Sequence, residues 1–178
     1  MQRISADELQ NQYANGQRNF QTVDLRDAYL FEANLSDSNL ADSDLSGTYL
    51  PYSNLSQTNL DRANLSLAEL GDCKLYQASL CAANLESANL VRANLRFANL
   101  AGANLSRVNL QGADLYQANL TGCDLRNANL SRCNLAQANL AQANLAGATL
   151  FRAQQVDLTE AIVDQTTLLP DGYPPPQE

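Results

Sequence analysis

The sequence predicts an all-β solenoid, a chain wound through short strands and corners around a narrow core of leucine. Three observations carry this expectation. Every fifth residue from Leu25 through Leu150 is leucine without a slip, and Phe20 opens the row. Two residues before each leucine the side chain is small, as at Ala33, Ala63, Ala83, Ala93, Ala103 and Ala138, with Ser, Thr, Cys or Val elsewhere. One residue before it stands mostly Asn or Asp, as at Asn34, Asp44, Asn64, Asn94, Asp114 and Asn129.

A period of five excludes the two ordinary elements. Five residues advance an α-helix by about 140° net, so successive leucines would scatter around its axis. In a flat strand side chains alternate, so a step of five sends successive leucines to opposite faces. Only a chain that turns a corner once per pentad, always the same way, keeps every leucine inside. The alternation of large Leu with a small neighbour suits a close-packed, thin interior. Asn and Asp bond readily to nearby backbone and tolerate corner conformations. The two residues after each leucine vary freely, as solvent-facing positions do.

In chain order, residues 1–19 read as an N-terminal cap. Ser5 and Glu8 form an S-x-x-E capping box, and Ile4 is placed to staple onto Leu9. A helix over 6–14 follows, with Leu9 and Tyr13 on one face and Gly16 as its stop. A solenoid exposes its core at each end, so a lid is expected there. Residues 20–152 form the uninterrupted rod. Ala153-Gln154-Gln155 then breaks the frame, and Leu158, Val163 and Leu168 resume the spacing displaced by three. A bulge near 153–156 and an irregular last coil over 153–169 are expected. Residues 170–178, with Pro174-Pro175-Pro176, read as a flexible tail.

The pattern A-(N/D)-L-x-x, seen plainly in ANLVRANLRFANLAGANL at residues 88–105, resembles the pentapeptide repeat family, abundant in cyanobacteria. The resemblance covers about three quarters of the chain. It implies a right-handed quadrilateral β-helix with four pentads per coil, hence about seven coils and a rod roughly 32 Å long at the strand spacing. Residues twenty apart then stack on one side. Tyr29 lies above Tyr49, and Tyr76, Arg96 and Tyr116 share a column with Phe97 beside them. Arg96 between two tyrosines suits cation–π stacking, and an aromatic cluster with an Arg has the composition of a binding hot spot. Tyr76, Arg96, Phe97 and Tyr116 are therefore the candidate interaction surface. A surface ladder that merely stabilises neighbouring coils has the same signature.

Composition narrows the function classes. The chain has no histidine, so the commonest general base is absent. Its acids sit on a convex surface with no cleft to perturb them, and no enzyme, cofactor or metal site is expected. Cys73, Cys123 and Cys133 occupy the small inner position and read as apolar fillers; Cys81 makes the fourth cysteine. The net charge of −8 disfavours nucleic-acid binding. The chain contains no run of about 18 apolar residues, which disfavours a membrane span. Its start lacks the shape of a signal peptide, so a cytoplasmic location is expected.

The leading expectation is a non-enzymatic interaction or scaffold protein that binds an unidentified protein through a flat side. The alternative is a partial DNA mimic, because some family members imitate duplex DNA and bind DNA gyrase. Asp37, Asp42 and Asp61 would form its acidic surface. Residues 24–86 carry a net −7, whereas 87–152 carry +4. A mimic of the rod's length would need roughly 19 negative charges, so only the first half qualifies. A monomer, or a weak dimer through the C-terminal coil, is expected.

Overall fold

The computed structural model of the protein describes residues 1–176. A two-residue strand β1 (Gln2–Arg3) pairs in parallel with β2 (Val23–Asp24), and helix α1 (Ala6–Ala14) lies between them. From there the chain is a ladder of single parallel bridges, each joining residues twenty apart, from Asn19↔Asn39 to Asn134↔Gln154. Twenty residues per coil and five per corner give four sides.

One pentad shows why the sequence folds this way. Asn64 N–H donates to Ser43 O of the coil before, at 2.9 Å, and Leu65 N–H to Asn84 O of the coil after, at 2.7 Å. Leu67 N–H reaches Glu86 O at 3.0 Å, and Ala68 N–H closes the turn onto Leu65 O at 3.1 Å. The fifth donor, Ser66 N–H, is taken by the Asn64 side chain at 3.2 Å. Every backbone donor of the unit is thus paired, and the last requires a short side-chain acceptor one residue before the leucine.

The corner's unusual backbone is not at the Asn or Asp position, where the sequence had suggested tolerance for it. It falls two residues after each leucine. Every such residue from Thr22 to Arg152 has φ between +54° and +72°, the turn pattern with a left-handed third residue. Glycine takes this place at 47, 102, 112, 122 and 147. Elsewhere side chains as different as Asp, Gln, Arg, Ala, Tyr, Phe and Leu accept it, held by the inter-coil bonds on either side.

All the row leucines are buried, as are the small residues two before them from Ala33 onward. Most polar residues at that inner position bond a backbone carbonyl: Ser53 donates to Leu30 O, Thr58 to Leu35 O, Cys123 to Leu100 O and Cys73 to Ser53 O.

At the N-terminal end, Ser5 Oγ accepts from Glu8 N–H at 3.1 Å. The reciprocal half of the box is replaced, because Glu8 instead accepts from Gln12. Ile4 and Leu9 join the leucine core, and Tyr13 Oη donates to Ser36 O at 3.1 Å.

At the other end the coil shortens. Asn144 pairs with Ile162 and Thr149 with Leu168, eighteen and nineteen residues on. Leu158 and Val163 pack against the core as the shifted spacing suggests. Leu168 does not: a further one-residue step puts Thr167 inside and leaves Leu168 exposed in the Asn column. The described part of the tail returns to this coil through Leu169 N–H to Tyr173 O and Gln165 Nε2 to Pro175 O. Gln177 and Glu178, the end of the expected flexible tail, lie outside the described residues.

Candidate interaction surface

The corner that follows Leu75, Leu95 and Leu115 carries the first aromatic group. Inter-coil bonds from Gln77 N–H to Arg96 O and from Phe97 N–H to Tyr116 O hold its members in register. Phe97 presents its ring edge-on to both tyrosines, with centroids 5.5 Å from Tyr76 and 5.5 Å from Tyr116. The guanidinium of Arg96 lies 4.5 Å from the Tyr116 centroid and 5.7 Å from that of Phe97. Arg96 is therefore not shared between the two tyrosines, as its column position alone suggested. It turns toward the following coil, where Asp114 binds it at 3.1 Å. The four candidates do form one contiguous, half-exposed patch.

A second aromatic group lies on the neighbouring corner near the start of the rod. Tyr29 and Tyr49 stack at 5.1 Å, Phe31 lies 6.3 Å from each, and Tyr52 meets Phe31 edge-on at 5.8 Å. These rings are more exposed than the first group, Tyr29 by 65% and Tyr52 by 53%. Sequence columns place Tyr29 above Tyr49 but leave out Phe31 and Tyr52, which join from around the corner. The signal was present: four aromatics within 24 residues of an otherwise aromatic-poor chain.

The acidic candidates do not make a free anionic array. Asp42 is held in a two-pronged pair by Arg62 of the next coil, at 2.7 Å through each nitrogen. Those bonds hold its carboxyl below the usual range. Asp61 accepts from Ser79 Oγ and Cys81 N–H, so it serves the backbone of the next coil. Asp37 lies on a different corner and only its backbone is engaged, with Ser56 O. Asp72 is likewise gripped by Arg92 and lowered by it.

Burial pushes the Cys73, Cys123 and Cys133 thiols up to about 12, so all three stay protonated. Among the described residues no group of three or more His, Cys, Asp or Glu is placed to hold a metal ion. No helix is long and apolar enough to cross a membrane. A cleft of about 210 Å³ opens at the shortened coil, between Ala138–Ala141 and Asp157–Glu160. What this surface offers is ring faces, ring edges and paired charges, the chemistry of non-covalent contact.

Comparison with known proteins agrees with the geometry. The family model for pentapeptide repeats matches residues 19–47, 28–66, 63–96, 88–127 and 127–168. Among solved structures, HetL of the cyanobacterium Nostoc sp. strain PCC 7120 is a pentapeptide repeat protein involved in heterocyst differentiation regulation. It is 32% identical over 96% of this chain and 99% of its own, with a TM-score of 0.37. A pentapeptide repeat protein from the Arabidopsis thaliana thylakoid lumen is 32% identical over 53% of this chain and 66% of its own, with a TM-score of 0.51. QnrB1, a plasmid-mediated fluoroquinolone resistance protein, is 17% identical over 97% of this chain and 85% of its own, with a TM-score of 0.64. At that identity the likeness concerns the fold alone. No curated protein sequence matches the chain.

Proposed function

The chain belongs to the pentapeptide repeat family, and from that premise we propose that it is a non-enzymatic interaction protein presenting a side of its rigid rod to a protein partner. The observation that carries this reading is the Tyr76–Arg96–Phe97–Tyr116 patch. A rod that needed only coil-to-coil adhesion is already supplied by the leucine core and the inter-coil backbone bonds. The patch adds aromatic rings and a guanidinium whose charge Asp114 already balances. Such a surface can be desolvated at modest expense, and aromatic and Arg side chains dominate binding energies where they are buried.

The test is affinity capture from source-cell lysate with the wild type and a variant carrying alanine at Tyr76, Arg96, Phe97 and Tyr116. A partner retained by the wild type and lost by an equally folded variant is expected. Capture that is identical for both removes this surface from the reading.

A DNA-mimicking role draws less support. It needs spaced, unpaired carboxylates, whereas Asp42 is neutralised by Arg62 and Asp61 is committed to its neighbour coil. The chain is accordingly expected to leave gyrase supercoiling unchanged. Inhibition that weakens when Asp37, Asp42 and Asp61 are changed to Asn would reverse that expectation.

A further inference from the structure

We propose that the side of the rod between the two aromatic corners is self-complementary and binds a second copy of this chain, antiparallel, about a two-fold axis at the coil of Val91 to Phe97. This rests on the interaction reading above and names the partner for that side.

One corner column is held in register along the length of the rod. Inter-coil bonds run unbroken along it: Glu32 N–H to Pro51 O, Tyr52 to Gly71, Asp72 to Val91, Arg92 to Gln111, Gly112 to Ser131 and Arg132 to Phe151. The second corner residues are therefore stacked in the order Glu32, Tyr52, Asp72, Arg92, Gly112, Arg132, Arg152. A two-fold axis lying in the plane of the side, perpendicular to the rod, brings each column against itself in reverse. With Arg92 at the centre, Glu32 meets Arg152 of the second copy and Tyr52 meets its Arg132. The first is an ion pair and the second a cation over a ring.

The adjoining columns obey the same reversal. Beside Glu32 stands Phe31, and beside Arg152 stands Phe151. These two rings are exposed by 37% and 39% and lie equally far from Val91. In the middle of the side, Lys74 opposes Asp114. At the far corner Tyr76 opposes Tyr116, and Phe97 lies at the axis against its own copy. Aromatic thus meets aromatic and base meets acid in columns of independent sequence. The like charges brought to the axis are already balanced within each chain, Arg92 by Asp72 and Arg96 by Asp114.

Charge supports the direction as well. The half at 24–86 carries −7 and the half at 87–152 carries +4, so only antiparallel rods set opposite charges together. The ends are less available than the sides. β1 and α1 occupy one, and the returning tail lies on the last coil at the other. A side about 30 Å by 12 Å, with its projecting side chains, would bury roughly 1,000 Å² in total, at the weak end of specific interfaces. Self-association with a dissociation constant on the order of 10 µM or weaker is expected.

The test is sedimentation velocity across a concentration series with full-length wild type, Glu32→Arg, Arg152→Glu, the double variant and an equimolar mixture of the two single variants. Each single swap sets like charges at both ends of the interface and should weaken association by about tenfold. The double variant and the mixture restore both pairs and should recover it. In a Cys81→Ala background, Val91→Cys at the axis should form an intermolecular disulfide on oxidation, and Ala101→Cys on another corner should not. A wild type that stays monomeric at the highest concentration reached overturns the proposal, as does association that ignores the swaps or is not recovered by mixing. Lysate capture lost by the four-alanine variant would still stand in those cases, so the two readings fail separately.

Discussion

Most polar residues at the small inner position bring their own bond. Ser43, Ser53 and Thr58 each donate to the leucine or phenylalanine carbonyl of the coil before, and Thr48 to Leu45 O of its own turn. Ser38 is the exception: it is buried, and its Oγ has no partner. Alanine fills the same position in most other pentads. Ser38→Ala is therefore expected to stabilise the rod by about 1 kcal/mol, the scale of an unmade buried bond, read as a higher melting temperature. The thiols follow the same logic. Three of the four are buried and protonated, and only Cys81 is partly accessible. A thiol reagent should label one cysteine per folded chain and four after unfolding; Cys81→Ala should abolish the native signal. The leucine and alanine columns were legible in the sequence because burial selects size at every repeat. The left-handed corner residue was not, because Gln and Arg each occupy it as often as glycine does. The inter-coil bonds around that residue, rather than its own preference, impose its conformation.

Along each side the Asn and Asp residues form ladders. Asn64 Nδ2 donates to Asp44 Oδ1, Asn84 to Asn64 and Asn104 to Asn84, at 2.9–3.1 Å, while the same oxygens cap the turn that follows. Asn84→Ala removes the cap on Glu86 N–H and cuts the ladder, and should cost about 1–2 kcal/mol. The conservative Asn84→Asp keeps the cap and should cost less, which thermal melts of the two variants would show. Two of the repeat's exceptions follow from the same bond. Tyr49 stands where Asn is usual, and the donor it would have to cap is missing because the residue two on is Pro51. Ser79 is another such exception, and there Asp61 of the preceding coil caps Cys81 N–H. The last coil was only half legible. The frame break announced a shift, but Leu168 turned outward because a coil closing in nineteen residues puts the small Thr167 inside. Its hydroxyl then bonds Leu145 O at 2.9 Å, a fit decided by the coil beneath and not by local pattern. The site divides the same way. Twenty-residue columns placed Tyr76, Arg96 and Tyr116 together. That Arg96 would turn to Asp114, or that Phe31 and Tyr52 would meet around a corner, depends on side-chain direction across coils.

At the scale of the whole rod, pH acts through carboxylates gripped by arginines. Asp24, Asp42, Asp72 and Asp124 are bonded by Arg26, Arg62, Arg92 and Arg126, chiefly through direct hydrogen bonds, and all four are held below the usual carboxylate range. Asp157 and Asp164 are lowered too, by the hydroxyls and backbone N–H groups of Thr159 and Thr166. A carboxyl whose folded value is depressed stabilises the fold fully above its unfolded value, about 4 for Asp. That stabilisation is lost as pH falls through the lower folded values. With no histidine in the chain, the side chain that most often titrates between pH 5 and 8 is missing. The melting temperature should therefore be flat from about pH 8 to about pH 5 and fall steeply only below about pH 4. Most of these pairs are exposed, so their contribution should also shrink in high salt, which screens surface charges. Asp24 is the least exposed of them, and it lies in β2 beside β1, the strand that closes the N-terminal end. Asp24→Asn should then remove part of the acid-dependent fall while lowering stability at neutral pH. A melting temperature that already declines between pH 7 and pH 6, or an acid limb unchanged by Asp24→Asn, would place the controlling groups elsewhere. An acid limb shifted by that single change would locate the pH sensitivity at the N-terminal closure of the rod, where β2 pairs with β1.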